Sequence, residues 1–416
     1  MELGPKFFTA ALKCLPDSGS LWHNLSLTYQ SCCNSPSAMM AIKRAITLEP
    51  SESSHWNLLG LLASAPEVSQ HAFIRAIELN PTGAKTASIW TNLGALYFQH
   101  GDLLLAHECF KKSQNIDPLN VAAWIGQANI AEQQSPSEAM DLFRHTTPAA
   151  IGSGRRTQCE GSPSYAQWVM TTLSDPQAKN TAHYRYSIVQ MYAVPSAIDG
   201  LVRYRALYPH DGCALNLLGL LYERQKLFSQ AEEVFLQGIQ CLEEEESTLN
   251  QSRIDKMKAN LARIYTCMDR YDDATNLYAS LQESELSSVF GIALAHFKAG
   301  RHEESYFTYN AAQDWLAADD EKLSHLKVAM AMATFRRDFP DAEEAKSLLF
   351  QSCQLQPPSV YGLLALAGLG LLTEDETLTD AAFQVIIIIF FFYLQFTGEE
   401  IIPQTWYLFH FVSKLH

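Results

Sequence analysis

Apolar residues recur along this chain with the spacing of one face of an α-helix. The clearest stretch carries Trp90, Leu93 and Tyr97 at positions i, i+3 and i+7, which places all three side chains on a single stripe. A second apolar stretch with Ala106 and Phe110 follows, and Pro118 comes shortly after. Proline ends a helix because it lacks the N–H group and its ring clashes with the preceding turn. The pattern predicts two helices joined by a short turn.

This helix pair repeats at a fixed period. Trp22, Trp56, Trp90 and Trp124 lie 34 residues apart. A small residue stands four positions after each tryptophan, as Ser26, Gly60, Gly94 and Ala128. A small side chain there lets the second helix cross close to the first. A 34-residue period with this W-x-x-L-G signature is that of the tetratricopeptide repeat. Because each pair leaves an apolar edge that only the next pair buries, the sequence predicts an all-α, right-handed superhelical solenoid of about nine to ten helix pairs.

The repeat is not uniform along the chain. The second copy is three residues short between Trp56 and Pro81 and three residues long between Pro81 and Trp90, which predicts a clipped inter-helix turn and an extended inter-repeat loop. After Trp124 the register weakens, and it returns fully around Gly219. Between these blocks, a degenerate copy is predicted from Tyr184, Ile188, Ala197, Leu201 and Pro209.

The period also predicts the organisation of the whole chain. We expect the second helix of a truncated repeat over residues 1–19 and a first tetratricopeptide block over 20–148. A loop is predicted over 149–163, followed by a degenerate and then regular block over 164–383. An apolar tail over 384–416 shows no repeat. Its ten-residue apolar run, 385–394, is shorter than the roughly 18 residues of a membrane-spanning helix, so we expect read-through sequence and no membrane anchor.

Charge and motifs exclude several classes of function. The chain has 45 acidic and 30 basic side chains, a formal net charge of −15, and no basic face of the kind that binds nucleic acid directly. The nine cysteines form no C-x-x-C pair and are predicted to be reduced and buried or half-buried. His296 and His302 flank Gly300, where a solvated turn is a better interpretation than a metal site. No catalytic motif occurs, so we expect no enzymatic activity, no cofactor and no metal.

The predicted binding surface is the inner wall of the array. In this repeat type, the residues one and five positions after the tryptophan line that wall. Here they are His23, Leu27, Asn57, Leu61, Thr91, Ala95, Ile125 and Asn129. None is lysine or arginine, so a clamp for a terminal carboxylate is not expected. A neutral, partly apolar wall suits an extended segment or a folded domain of a protein partner.

A closer resemblance is carried by residues 21–32 (LWHNLSLTYQSC), 54–63 (SHWNLLGLLA) and 88–133. Over about residues 5–383, the chain resembles the tetratricopeptide scaffold subunits of superkiller complexes. The resemblance implies a non-catalytic piece of a C-terminal arm that embraces a DExH-box RNA helicase and a WD40-repeat protein. It also implies a cytoplasmic location, with a nuclear one as well, and a role in 3′-to-5′ messenger RNA decay by the exosome. The alternative is a stand-alone peptide-binding module of another pathway.

Overall fold

The computed structural model describes residues 3–32, 34–83, 85–147, 159–175, 181–244, 250–282, 285–316, 319–338, 341–355, 360–381 and 384. In this part of the chain the regular secondary structure is helical throughout, and no strand occurs. The chain divides into two compact units, Met1–Gln225 (unit 1) and Lys226–His416 (unit 2). Each unit is built from sequential helix packing.

Unit 1 begins with a single helix, continues with four helix pairs and ends with a less regular group. Its helices are α1 (Leu3–Cys14), α2 (Gly19–Ser31), α3 (Ser35–Leu48), α4 (Ser53–Leu62), α5 (Pro66–Leu79), α6 (Thr86–Gln99), α7 (Leu103–Ile116), α8 (Val121–Gln134), α9 (Pro136–His145), α10 (Ser162–Ser174), α11 (Ala182–Tyr184), a π-helix (Arg185–Gln190), α12 (Ala193–Leu207) and α13 (Gly212–Arg224).

Unit 2 continues in the same style, with each helix packed on its neighbours along the chain. Its helices are α14 (Phe228–Glu244), α15 (Gln251–Cys267), α16 (Tyr271–Ala279), α17 (Leu286–Lys298), α18 (His302–Ala311), a 3₁₀ turn (Asp314–Leu316), α19 (Asp320–Asp338), α20 (Glu343–Gln354) and α21 (Val360–Leu372). A last helical stretch covers 376–381. One core cluster runs from α17 to α21 and includes Ala293, Met330 and Leu349.

Short polar side chains start several of these helices. Ser18, Asn34 and Asp102 each accept a hydrogen bond from the backbone N–H three residues later, at the starts of α2, α3 and α7. Such N-caps satisfy backbone donors that have no partner within the helix. The helices α5 and α9 instead begin with proline, whose missing N–H costs nothing at the first position.

The first helix of a pair ends in a recurrent turn. Gly101, Asp269 and Gly300 have positive φ angles of 80°, 60° and 79°. The next residue in each case donates its backbone N–H to a carbonyl five residues earlier, as Asp102 does to Tyr97 at 3.0 Å. This is the Schellman arrangement, which satisfies the last carbonyls of a helix and reverses the chain within a few residues. The turn therefore directs the second helix back along the first.

Small residues allow the two helices of a pair to approach closely. A Cβ atom on Gly94 would lie 2.8 Å from the ring of Phe110, and Gly126 faces the same ring from α8. In the first pair Ser26 takes the place of glycine, and its hydroxyl donates to the carbonyl of Ala38 at 2.8 Å. In the pair of α6 and α7, Ala106 is fully buried and Phe110 is 2 % exposed. The crossing therefore fixes the residue types that recur in the sequence.

The second pair corrects one prediction. Its inter-helix turn, residues 63–65, has three residues, as do the turns 32–34 and 100–102 of its neighbours. The three missing residues are taken from α4, which has 10 residues where α2 has 13 and α6 has 14. The prediction of a clipped turn was wrong, because the turn keeps its three-residue length while the helix before it tolerates the loss of nearly one turn. The segment that follows α5, 80–85, is longer than its counterparts 49–52 and 117–120.

The degenerate copy also differs from its prediction. The main packing partner of α12 is α10, and α13 packs against both. The segment that carries Tyr184 and Ile188 is the short α11 and the π-helix, so these residues do not form the first helix of the pair. Tyr192 follows with a φ angle of 52°, and this left-handed residue separates the π-helix from α12. The wrong assignment arose because an inserted segment carries apolar residues with helical spacing.

The structure also bears on the predictions for the cysteines and for the apolar tail. Cys14, Cys213 and Cys267 are exposed, so the expectation that the cysteines are mainly shielded fails at these three positions. No helix in the described ranges is long and apolar enough to cross a membrane. Residues 148–158, most of the predicted loop, and 385–416 of the predicted tail lie outside the described residues. The domain boundaries stay a prediction.

Candidate functional site

The first helices of successive pairs face one another. In unit 1, α6 packs on α8 as well as on its own partner α7, and in unit 2, α15 packs on α17 and α19 on α21. Contacts between first helices bring them together on the inner side of the stack. We call the first-helix face of α2, α4, α6 and α8 the inner wall of unit 1. The eight residues predicted to line a groove all lie on these four helices.

The α2 end of the wall combines an imidazole and an exposed leucine. His23 lies with its ring centroid 5.1 Å from that of His55 on α4. Burial, followed by the electrostatic effect of the neighbouring His55, lowers the pKa of His23, so the neutral imidazole is favoured there. Leu27, one turn further along α2, is 44 % exposed. This end of the wall therefore combines an imidazole whose neutral form is favoured with an exposed apolar side chain.

The α4 segment of the wall is tied to the next repeat by an amide pair. The side-chain amide of Asn92 on α6 donates to the side-chain oxygen of Asn57 at 3.0 Å. Leu61 is 56 % exposed on the same helix. The side-chain oxygen of Asn57 therefore accepts a hydrogen bond from the neighbouring helix, while Leu61 exposes an apolar surface to solvent.

In the α6 segment of the wall, one of the two predicted residues is buried. Thr91 is 8 % exposed, and its hydroxyl donates to the carbonyl of Ala87 at 3.1 Å. The side-chain amide of Asn120 donates to the same hydroxyl at 3.0 Å and to the hydroxyl of Ser113 at 2.9 Å. This buried network joins α6, α7 and the start of α8. Thr91 therefore serves packing and does not face the open wall, whereas Ala95 is half-buried.

The α8 segment opens into a pocket. Ile125 and Asn129 line it together with residues of α9 and α10, and its volume is about 290 Å³. The full lining consists of Ile125, Asn129, Glu132, Phe143, Pro163, Ser164, Gln167, Trp168 and Thr171. We call this space the α8–α10 pocket. Sequence reasoning missed the α10 contribution, and the apolar positions Tyr165 and Trp168 inside the weakened register were the available signal.

The recurring tryptophans are half-buried, and each indole has a defined role. The indole N–H groups of Trp22, Trp56 and Trp124 donate to the carbonyls of Pro16, Pro50 and Pro118 at 2.9, 2.8 and 2.9 Å. Each proline stands six residues before its tryptophan. This bond closes the inter-repeat loop onto the next first helix. The constant six-residue spacing was visible in the sequence, although its purpose was not.

Trp90 lies in a different setting. Pro81 precedes it by nine residues because of the longer loop, and the ammonium of Lys112 lies 4.4 Å from the centroid of the Trp90 ring.

Other repeat positions lie in two kinds of place. Gly219 is buried within α13, and Pro118 is exposed just after α7. The repeat positions therefore divide between close helix crossings and the loops that join successive pairs.

The turn around Gly300 in unit 2 carries the histidines considered as metal ligands. His302 packs on Phe297 with ring centroids 5.2 Å apart, and Arg301 donates to Asp272 at 2.9 Å. Burial, followed by the charge on Arg301, lowers the pKa of His296. Among the described residues no group of three or more histidine, cysteine, aspartate or glutamate side chains is arranged to hold a metal ion.

Stacked helix pairs with a 34-residue signature define the class of this protein, a tetratricopeptide-repeat solenoid. The tetratricopeptide repeat family model matches residues 87–118, which cover nearly all of the pair α6 and α7. The structure and the family match agree on the same unit.

More specific relatives align with almost the whole chain. Tetratricopeptide repeat protein 37 of Xenopus laevis is 35 % identical over 407 residues, and superkiller complex protein 3 of Mus musculus is 33 % identical over 399 residues. Both alignments cover 92 % of this chain and 25 % of the relative. The chain is a tetratricopeptide-repeat protein similar to superkiller complex protein 3, and it spans about a quarter of the length of these curated relatives. Among solved structures, MamA is 20 % identical, with a TM-score of 0.31, over 39 % of this chain and 89 % of that one.

Proposed function

We propose that this chain is a non-catalytic protein-interaction scaffold of a superkiller complex. Its role is to support messenger RNA decay from the 3′ end by the cytoplasmic exosome. The observation that carries the proposal is the alignment with superkiller complex protein 3 over 92 % of the chain. The partners are a DExH-box RNA helicase and a WD40-repeat protein, and the site of action is the cytoplasm, with a nuclear pool as well.

The composition of the inner wall supports protein binding by surface complementarity. Leu27 and Leu61 offer exposed apolar area, and the lowered pKa of His23 favours its neutral form. Apolar area released from water is the main favourable term in protein association, and a wall without cations does not select phosphate groups. The acidic balance of the whole chain, −15, likewise disfavours direct contact with RNA.

The buried ionisable groups support a non-catalytic role. Burial raises the pKa of Tyr165 and of Tyr309, and both rings lie within helix packing, 1 % and 8 % exposed. A catalytic group with a shifted pKa needs access to a substrate in a cleft. These shifts are therefore accounted for by the packing of the solenoid.

The experiment is reconstitution of a complex. The tagged chain is co-expressed with the helicase and WD40 subunits of a superkiller complex, and co-elution is measured by size-exclusion chromatography. Leu27→Arg together with Leu61→Arg places charge on the inner wall at two exposed positions and should abolish co-elution. Met40→Arg is the matched control, because Met40 is 75 % exposed on the second helix α3.

Two outcomes oppose the proposal. If the folded, helical chain co-elutes with neither subunit, the scaffold assignment fails, and a stand-alone peptide-binding module of another pathway takes its place. If Met40→Arg disrupts the complex as strongly as the inner-wall variant, the inner wall is not the binding surface.

A further inference from the structure

The α8–α10 pocket is shaped for a long side chain. Its floor is formed by Phe143 and Trp168, whose ring centroids lie 6.2 Å apart in a stacked arrangement. Both rings are well buried, at 3 % and 4 % exposed, so the packing of α9 and α10 holds the floor rigidly and leaves a small area of each ring accessible. Ile125 adds an aliphatic wall from α8. Such a surface accepts the alkyl stem of a lysine or arginine, which prefers to cover apolar area.

The rim of the pocket is polar and carries one charge. Asn129, Gln167 and Thr171 contribute neutral groups, and Glu132 is the single ionisable residue among the described residues of the lining. Gln167 and Thr171 hydrogen-bond to one another, with the Thr171 hydroxyl donating to the Gln167 carbonyl at 3.0 Å. The amide oxygens of Asn129 and Gln167 are further acceptors. The rim therefore presents one negative charge among hydrogen-bond acceptors.

The charge on Glu132 is not balanced within the described part of the chain, since no lysine, arginine or histidine there forms an ion pair with it. The Glu132 side chain is exposed at the rim, and partial desolvation there raises the pKa of its carboxyl, the direction in which burial shifts an acid. An incoming cation would lower the electrostatic cost of keeping this carboxylate ionised.

We propose that the α8–α10 pocket binds an arginine or lysine side chain from an extended segment of a partner protein. The stem lies along the half-buried Ile125 and the small accessible area of Phe143 and Trp168, and the cationic head reaches Glu132 and the neighbouring amide oxygens. The net charge of −15 increases the encounter rate with a basic segment. This inference rests on the proposed function, since it specifies the chemistry of a partner on the inner wall.

The test uses the full chain and defined peptides. Four labelled nine-residue peptides of glycine, serine and alanine differ only in the central residue, which is arginine, lysine, glutamine or glutamate. Their Kd values are measured by fluorescence anisotropy. We expect the arginine and lysine peptides to bind about fivefold more tightly than the glutamine peptide, as a partly exposed ion pair provides.

Substitutions in the rim then locate the effect. Glu132→Gln should remove the preference for a cation, and Glu132→Lys should reverse it in favour of the glutamate peptide. Glu138→Gln makes the same change in net charge at an exposed position of α9 that does not line the pocket, and it should leave the preference intact. Circular dichroism of each variant checks that the helices are retained.

Equal binding of the four peptides would overturn the inference, and so would equal loss in the Glu132→Gln and Glu138→Gln variants, because attraction would then be non-specific. The proposed function can fail independently. If the chain assembles with the helicase and WD40 subunits while the peptides bind alike, the scaffold stands and the pocket assignment falls. If the peptides bind with the predicted preference but no complex forms, the pocket assignment stands and the scaffold proposal falls.

Discussion

At the scale of single residues, the solenoid depends on glycines at helix crossings as much as on the large apolar side chains that pack against them. Gly94 and Gly126 both approach the Cε1 and Cζ atoms of the Phe110 ring, and neither position has room for a methyl group. Gly368 in α21 has no neighbouring atom within 4 Å of a Cβ position. Glycine is therefore required where two helices cross closely, as at Gly94, and is not required by packing where no neighbour approaches, as at Gly368.

Gly94→Ala tests this contrast. The added Cβ would force Phe110 to move, and over-packing of this kind costs about 1–3 kcal/mol. The loss should appear as reduced amide hydrogen-exchange protection in α6 and α7. Gly368→Ala, examined in α21, should be neutral or stabilising by up to about 1 kcal/mol, since alanine favours a helix more than glycine does. A similar effect from both substitutions would contradict the role of close approach.

Cysteine reactivity gives a second prediction at this scale. Burial raises the pKa of the Cys109 thiol to about 11, so at pH 8 only ~10⁻³ of it is the reactive thiolate. Iodoacetamide at pH 8 should modify Cys14, Cys213 and Cys267, which are exposed, and should leave Cys109 unmodified. Mass spectrometry of native and urea-unfolded samples measures this. Native labelling of Cys109 at the rate of Cys213 would show that the α6–α7 pair opens readily.

At the scale of elements, the loops between pairs are as regular as the helices. The bond from a tryptophan indole to the carbonyl of the proline six residues earlier occurs at Trp22, Trp56 and Trp124. It anchors the end of one pair to the start of the next. The loop before Trp90 has six residues, against four in 49–52 and in 117–120, so a longer loop is tolerated after a pair whose first helix is shortened.

Trp124→Phe tests the contribution of this bond. Phenylalanine keeps one aromatic ring but removes the indole donor, so loss of the bond should lower stability by about 1 kcal/mol, and Trp56→Phe should behave alike. Urea denaturation followed by circular dichroism reports the change. Trp315→Phe is the control, because that side chain is 55 % exposed on a 3₁₀ turn. An equal effect at Trp315 would show that ring size, and not the bond, is responsible.

At the scale of the whole molecule, stability is expected to be local. Each helix packs mainly on its neighbours in sequence, and in such arrays the free energy is close to a sum of nearest-neighbour terms. Perturbations should therefore spread over one or two repeats and no further.

Phe110→Ala tests this within unit 1. Removing the ring between Gly94 and Gly126 leaves a cavity, at a cost of about 3–5 kcal/mol. Hydrogen-exchange mass spectrometry should show lost protection in α6, α7 and α8, with α2 and α3 unchanged. Loss of protection in all five helices would mean that unit 1 unfolds as one cooperative body.

Much of the architecture could be predicted because repeat packing is encoded locally. The 34-residue spacing of Trp22, Trp56, Trp90 and Trp124 predicts the first helices, and the small residues Gly60 and Gly94 predict the crossings. These features depend on residues close together in the chain, so periodicity reveals them. The insertion of α11 and the π-helix defeated the same reasoning, because helical periodicity does not indicate which helix packs against which.

The sequence by itself determined the repeat, the solenoid class and the placement of the eight candidate groove residues on the first helices. Only the tertiary structure decided what those positions do. It buries Thr91 in a hydrogen-bond network, leaves Leu27 and Leu61 exposed, and joins Ile125 and Asn129 to α10 in a pocket that contains Glu132. The physical reason is that exposure and pocket shape depend on the distance between helices from different repeats, and no local spacing in the sequence specifies that distance.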